Sequence, residues 1–437
     1  MRRRRNGSSV ARQECASRRT PAPVTPLRPV RPSRNILSAF KAIGPGMMAG
    51  LADNDPAGVA TYAIVGAATG YRFLWLLILA TFMVQAVQVT SARVGSVTQE
   101  GVLRITRQRY GLIVATLVVM IGLLANEATL IADVSALGVS LQILTGISWR
   151  WFVVPTCLTL LLITIFFNFR RLRDYFLAVG LLLLAYVIAA FWVHPDWSSA
   201  LRGTFVPTLP TNPGELAMVI ALLGTTVSPY LLFWEAEGER EARRGRQQFG
   251  SAVVDVTIGF IASNLVSYFI IVTTAATLFV SRQSINTATD AAMALRPVAG
   301  NFASIVFAIG LLGTGLLAVP MFGISIGYIV GEVFGWPSGL SHSVREAPLF
   351  YTVVSIALLS GAAAALIGVD PIVAMFDSQV LDGLLMPFLI AILALLANDR
   401  RVMGRDHSTT YYNVWLVISI LVMGGSVIWW LAGILPL

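Results

Sequence analysis

The sequence predicts an all-α integral membrane protein of eleven transmembrane helices. They form two inverted five-helix repeats plus one extra helix, and the first helix of each repeat is broken. Three observations carry this. The 437 residues are 56% hydrophobic and 12% charged, with mean hydropathy +0.75, whereas soluble domains carry about 25% charged residues. Eleven apolar spans follow one another, each near or above the roughly 20 residues a bilayer requires. Two of them, the first and the sixth, are interrupted midway by polar residues and a proline.

Residues 1–35 precede the spans. Arg2 to Arg5 and further arginines mix there with Pro21, Pro23, Pro26, Pro29 and Pro32. No apolar core of about 7–15 residues follows the arginines, so the segment is not a secretory signal. It reads as a disordered basic cytoplasmic tail and not as a nucleic-acid-binding arm. Asn6-Gly7-Ser8 fits a glycosylation sequon that a cytoplasmic tail never exposes to that machinery. Cys15 and Cys157 supply no disulfide framework, and three histidines are too few for a histidine metal site.

The spans run over 39–69, 72–92, 112–143, 151–168, 175–193, 215–236, 251–280, 301–332, 349–367, 371–397 and 412–435. The first repeat occupies 36–193, an external loop 194–214, the second repeat 215–397, and a cytoplasmic loop with the last helix 398–437. With the N-terminus inside, 26 of the 31 basic residues fall on the inner side, leaving Arg72, Arg150, Arg202, Arg282 and Arg296 outside. The positive-inside rule then places the N-terminus in the cytoplasm and the C-terminus outside. Most of the net charge of +9 is this topology signal.

Span one is interrupted at Leu51-Ala52-Asp53-Asn54-Asp55-Pro56-Ala57-Gly58. Each carboxylate at bilayer depth costs about 2.5–3.5 kcal/mol on insertion scales. Pro56 has no N–H, so the carbonyl of Ala52 loses its helical partner, and Gly58 permits a turn. Irregular backbone at that depth survives where it lines a cavity or is buried in protein. Two half-helices meeting at Asp55 and the freed Ala52 carbonyl predict an ion-binding site. Span six repeats the device at Gly224-Thr225-Thr226-Val227-Ser228-Pro229-Tyr230, where Pro229 frees the carbonyl of Thr225. Each break opens a set of five spans. Five is odd, so the second set is inverted, and paired broken helices in two inverted halves point to a secondary-transporter site.

These residues resemble the natural-resistance-associated macrophage protein (NRAMP) family of divalent-metal transporters over about Ile36 to Leu396, with Gly44-Pro45-Gly46 opening span one and Ser91-Ala92-Arg93-Val94-Gly95 closing span two. The resemblance implies the inverted-repeat architecture of sodium-coupled amino-acid symporters plus one C-terminal helix. It implies a metal site at an Asp-Pro-Gly-Asn turn in helix one and a Met-Pro-His turn in helix six. Asp55 and Pro56 match the first, whereas Ala57 and Gly58 replace Gly-Asn and remove the amide ligand. Pro229 matches the second, with Ser228 in place of the methionine and Tyr230 in place of the histidine. Ala52 and Thr225 fall where the family offers carbonyl oxygens, and Gln379 where it has a glutamine that reaches the site on closure. Asp53 and Asn54 add oxygen donors outside the family pattern.

On span three, Asp133 resembles the family's aspartate on a proton route, and Asn126, seven residues earlier, lies on the same face. The acid expected at position 136 is Ala136, and span nine lacks the family's arginine, so the proton relay is incomplete. Glu127 is a second candidate for that proton route, beside the plainer reading of a satisfied buried or cavity-lining carboxylate. Gly323-Ile324-Ser325-Ile326-Gly327 fits a G-x-S-x-G pattern, but inside an apolar span it reads as helix packing. The acidic run from Trp234 to Glu241 reads as a solvated helix end with charge pairs.

The expected function is a secondary transporter of divalent cations, Mn²⁺ or Fe²⁺ by family, with no cofactor and the metal as substrate. A thioether favours softer metals, whereas carboxylate, carbonyl and hydroxyl oxygens suit Mg²⁺, Ca²⁺ and Mn²⁺. Ser228 in place of sulfur, and a cavity enlarged by Gly58, favour a harder ion that keeps its waters. Three alternatives stand beside this reading: a Mg²⁺-type transporter without proton coupling, a same-fold amino-acid transporter, and a non-transporting sensor. Asp55 would repel a substrate carboxylate, and no nucleophile–base pair supports an enzyme. The expected partners are the metal, the lipid bilayer and protons, with the chain a monomer and no nucleic acid bound.

Overall fold

The structure, a computed structural model, describes residues 44–166, 184–285, 303–368 and 370–434, with residues 171, 174, 175, 180 and 290. The basic tail, the first residues of span one and most of the first half of span five lie outside the described residues. Regular structure among the described residues is helical throughout.

Span one is two half-helices, α1 (Pro45–Ala52) and α2 (Pro56–Thr69). Then come α3 (Leu74–Thr98), α4 (Val102–Thr145), α5 (Arg150–Phe166) and α6 (Leu184–Trp192). A short helix, α7 (Trp197–Phe205), lies in the following connection. Span six is again two half-helices, α8 (Pro213–Thr226) and α9 (Pro229–Glu241). The chain continues through α10 (Phe249–Thr274), α11 (Ala303–Phe334), α12 (Pro348–Leu366), α13 (Pro371–Asn398), the single turn α14 (Arg400–Met403) and α15 (Thr410–Ile434). Gly111, with φ +86°, breaks α4 into a leading segment and the part that corresponds to span three. Beyond the end of α13, a hydrogen bond from Arg109 holds the Asp399 carboxyl below the usual carboxylate range.

A recurring two-residue device starts the helices. Asp55-Pro56, Asn212-Pro213 and Asp370-Pro371 each place an Asx side chain that accepts a helix N–H ahead of a proline at the first position. Proline is suited there because its missing N–H would have no helical partner. Small residues set the closest helix approaches, as in membrane bundles generally. Gly50 of α1 meets Gly259 of α10, and Gly224 of α8 meets Gly383 of α13, each too closely for a Cβ. Outward faces remain apolar: Ile113, Leu117, Met120 and Leu124, at intervals of four, three and four along α4, are exposed. The polar residues at the breaks of spans one and six, Asp53 to Asp55 and Thr225 to Ser228, are enclosed by this packing and are buried.

Candidate metal site

The chain leaves α1 at Asp53 and re-enters helix at Pro56. Asp55 caps α2: its Oδ1 accepts from the N–H of Gly58 at 2.5 Å. Asp133 of α4 reaches the same helix end, and its Oδ1 accepts from the N–H of Ala57 at 3.0 Å. The positive end of the α2 dipole thus faces two carboxylates, the electrostatically favourable arrangement. Asp133 Oδ2 is buried and has no hydrogen-bond donor.

Asp53 and Asn54 face span seven. Ser263 donates to Asp53 Oδ2 at 2.6 Å, leaving Asp53 Oδ1 buried without a donor. The Asn54 amide donates to Ser263 Oγ at 2.8 Å and accepts from Ser267 at 2.9 Å. Both ends of that amide are engaged, so Asn54 tethers the break to α10, and its Oδ1 keeps a second lone pair.

Side chains also occupy both freed carbonyls. The Tyr230 hydroxyl donates to Ala52 O at 2.8 Å, and the Ser228 hydroxyl donates to Thr225 O at 2.7 Å. Ser228 precedes Pro229 as Asp55 precedes Pro56, yet it makes no cap on α9. Proline removes the helical partner of each carbonyl, and a side-chain hydroxyl takes its place. Each carbonyl has one side-chain donor and retains its second lone pair. A correction concerns Gly58. A Cβ there would collide with Thr225 Oγ1 and lie 2.6 Å from Asp55 Oδ1, so the missing side chain leaves no enlarged cavity at that point.

Gln379 of α13 is fully buried, its Oε1 without a donor. One turn along the same helix lies Asp382, a residue not singled out from sequence. Asp382 Oδ2 accepts from Thr129 at 3.1 Å, and its Oδ1 is buried without a donor. Asp382 is within electrostatic reach of both Asp55 and Asp133. The detectable signal was its spacing: an acid three residues after Gln379 shares that residue's helix face. Gln88 of α3 was also missed. It is buried with both amide atoms unpartnered, one turn before Ser91, whose hydroxyl bonds the Leu232 carbonyl of α9.

Asn126 donates to Ser325 at 3.3 Å, and Ser325 donates to the Tyr230 carbonyl at 3.2 Å. The serine of the G-x-S-x-G stretch is therefore a strut behind the second break. Its glycines pack against Leu358 and Phe350. Glu127 is half-buried and accepts from Ser360 of α12 at 2.7 Å. The acidic run of α9 departs from expectation, because Glu235, Glu237 and Glu239 are buried. The helix continues into packing against α3, where Gly95 meets the Ala236 carbonyl. On that side Asp255 accepts from Gly44 N at 3.0 Å and Gly46 N at 3.1 Å, and Arg244 contacts Asp255 at 3.1 Å and Glu239 at 3.4 Å. This network ties the start of α1 to α9 and α10.

Four carboxylates, Asp53, Asp55, Asp133 and Asp382, are thus buried. Among the described residues no arginine, lysine or histidine forms an ion pair with any of them. No three His, Cys, Asp or Glu side chains among the described residues converge into a metal-binding cluster. A cation held at this place would draw on carboxylate, amide, hydroxyl and carbonyl oxygens.

Comparison with known proteins finds relatives along most of the chain. The chain is 26% identical over 436 residues to the divalent metal cation transporter MntH of Deinococcus radiodurans, covering 93% of this chain and 94% of that one. It is 26% identical over 410 residues to MntH of Yersinia pestis, covering 90% and 95%. Its fold is shared with the Eremococcus coleocola manganese transporter (TM-score 0.69, 19% identity, 92% of this chain and 97% of that one). It is also shared with MhsT bound to L-phenylalanine (TM-score 0.62, 13% identity, 90% and 98%). The family described as natural resistance-associated macrophage protein-like matches residues 46–433, and the chain belongs to that family.

Proposed function

We propose that this protein is a secondary transporter that moves divalent metal cations across the membrane by alternating access, with Asp55 as the principal charged ligand. The observation that carries the reading is the set of four buried carboxylates around the first helix break with no basic partner among the described residues. Uncompensated buried charge is costly, and a divalent cation is the simplest group that offsets it. Asp55, Gln379, Asp53 and the second lone pairs of the Ala52 and Thr225 carbonyls are the candidate ligands, with Ser228 lining the site and Asp382 behind Gln379. The same charge disfavours an amino-acid substrate, whose carboxylate would meet Asp55.

All of these donors are oxygens, which suits Mn²⁺ and Mg²⁺ better than softer ions. Mn²⁺ is the preferred substrate. Mg²⁺ is second, since it demands room for retained waters and Thr225 and Asp55 fill the space beside Gly58. Asp133 caps α2, and Glu127 is held by Ser360, with no arginine in α12. Without that arginine and without an acid at position 136, the transporter works with weak or no stoichiometric proton co-transport. Moving two charges through 100 mV then supplies about 4.6 kcal/mol. The positive-inside bias supports a cytoplasmic N-terminus and an external C-terminus, and the protein acts as a monomer.

The test is uptake into proteoliposomes against a panel of divalent cations, with internal pH recorded simultaneously. Saturable Mn²⁺ uptake without matching acidification is expected. Acidification that tracks uptake and is lost in Asp133→Asn would overturn the uncoupled reading, and absence of any divalent flux would overturn the function.

A further inference from the structure

A second group of carboxylates lies along span six, away from the break. Glu332, near the end of α11, is buried, and its Oε2 accepts from the N–H groups of Leu103 at 2.7 Å and Arg104 at 3.1 Å. Two hydrogen bonds to the start of α4 therefore fix this carboxylate. Its other oxygen, Oε1, is buried, accepts from no N–H or hydroxyl among the described residues, and faces the Glu237 carboxyl. Glu237 of α9 approaches from the opposite side. A Cβ on Gly101 would run into both Glu332 Oε1 and Glu237 Oε1, so the two oxygens converge over one α-carbon. These residues line a cavity of about 240 Å³ that also contacts Glu100, Arg104, Arg240 and His342.

The charges in this cavity do not cancel. Arg240 Nε donates to Glu237 Oε2 at 2.6 Å, and Arg104 sits 3.4 Å from Glu100. That leaves Glu332 without a basic partner among the described residues. Facing carboxyl groups pair either through one shared proton or, when both are ionised and each only accepts, through a cation; Mn²⁺ retained by Asp55→Ala separates the two. An ion between them would resolve both the repulsion and the unmet oxygen. Bonds of about 2.0–2.6 Å to carboxylate oxygens are those of Mg²⁺, Mn²⁺ and Ca²⁺, which complete their shells with water where space allows.

We propose that Glu237 and Glu332, closing over Gly101, form a second, hydrated divalent-cation site. Glu237 lies eight residues beyond Pro229 on α9, which at 1.5 Å per residue puts this site about 12 Å from the second helix break. It would hold a metal ion on the side toward which α9 runs, separate from the site at Asp55. The inference does not depend on the central site being the transport site.

The experiment counts Mn²⁺ bound to the purified full chain by titration followed with electron paramagnetic resonance. Wild type, Asp55→Ala, Asp55→Ala/Glu332→Gln and Asp55→Ala/Glu237→Gln are compared. One equivalent is expected to remain in Asp55→Ala and to weaken at least tenfold in each double variant. Glu237→Gln leaves the α4 contacts of Glu332 intact, so it decides the matter if Glu332→Gln aggregates. If Asp55→Ala binds no Mn²⁺, or if a double variant keeps the equivalent, the second site does not exist; the central reading stands in the first case. If Asp55→Ala binds as many equivalents as wild type and the double variants lose one, the second site stands and the central one fails.

Discussion

At the first break, Asp55 caps α2 and Asp133 supports it. Asp53 and Asn54 are roped to two serines of α10. At the second break the residue in the equivalent place, Ser228, caps nothing and turns its hydroxyl back onto the Thr225 carbonyl. The two breaks share a proline and a freed carbonyl, yet all the charge belongs to the first. Tyr230 links them by donating from the second break to the Ala52 carbonyl of the first. In the proposed transporter, the second break therefore shapes the site and tunes its softness, whereas the first supplies the attraction for a cation.

Short of removing Asp55 itself, the largest expected effect comes from crowding the first break. Gly58→Asn restores the amide of the family motif but places a Cβ against Thr225 Oγ1 and Asp55 Oδ1. Mn²⁺ uptake should fall by about a hundredfold, corresponding to about 2.7 kcal/mol, and Thr225→Ala should restore part of it. Uptake by Gly58→Asn at the wild-type rate would mean that the crowding is relieved elsewhere and that the two breaks are not in tight contact.

A smaller change follows from altering the second break. Ser228→Met adds a thioether without touching the carboxylates. Cd²⁺ should then compete with Mn²⁺ about tenfold better, a shift of about 1.4 kcal/mol, while Mn²⁺ uptake persists. Tight Cd²⁺ inhibition already present with Ser228 would contradict a hard, all-oxygen site.

The smallest effect on transport tests the link between the breaks, and it is read as stability. Tyr230→Phe leaves the buried Ala52 carbonyl without its donor, which costs about 1–3 kcal/mol. The metal-free protein should melt earlier than wild type. Saturating Mn²⁺ should recover more melting temperature in this variant than in wild type, because the carbonyl becomes available to the ion. An equal Mn²⁺ shift in both proteins would remove Ala52 from the ligand set.

Much of this architecture was legible because the physics is local. Asp55-Pro56 and Ser228-Pro229 announce helix breaks by removing an N–H inside an apolar span, and hydropathy marks the long apolar helices among the described residues. What the sequence concealed depends on contacts between distant residues. Asp382 hid in an apolar span, and its role emerges only beside Thr129 and the α2 end. Tyr230 read as a lost histidine, although its hydroxyl reaches a carbonyl 178 residues away. The acidic run of α9 looked solvated because its covering residues, from α3 and α11, lie far off in the chain. Gly58 looked like added room because composition does not reveal that Thr225 fills it.

The central claim is that the first break holds the charge that makes the site work. Its most direct test compares Mn²⁺ uptake by Asp55→Ala and Ser228→Ala, reconstituted at equal protein after both have been shown to purify as wild type does. Uptake should vanish in Asp55→Ala and persist in Ser228→Ala. Transport by Asp55→Ala at a near wild-type rate, or equal loss in both variants, would contradict the account.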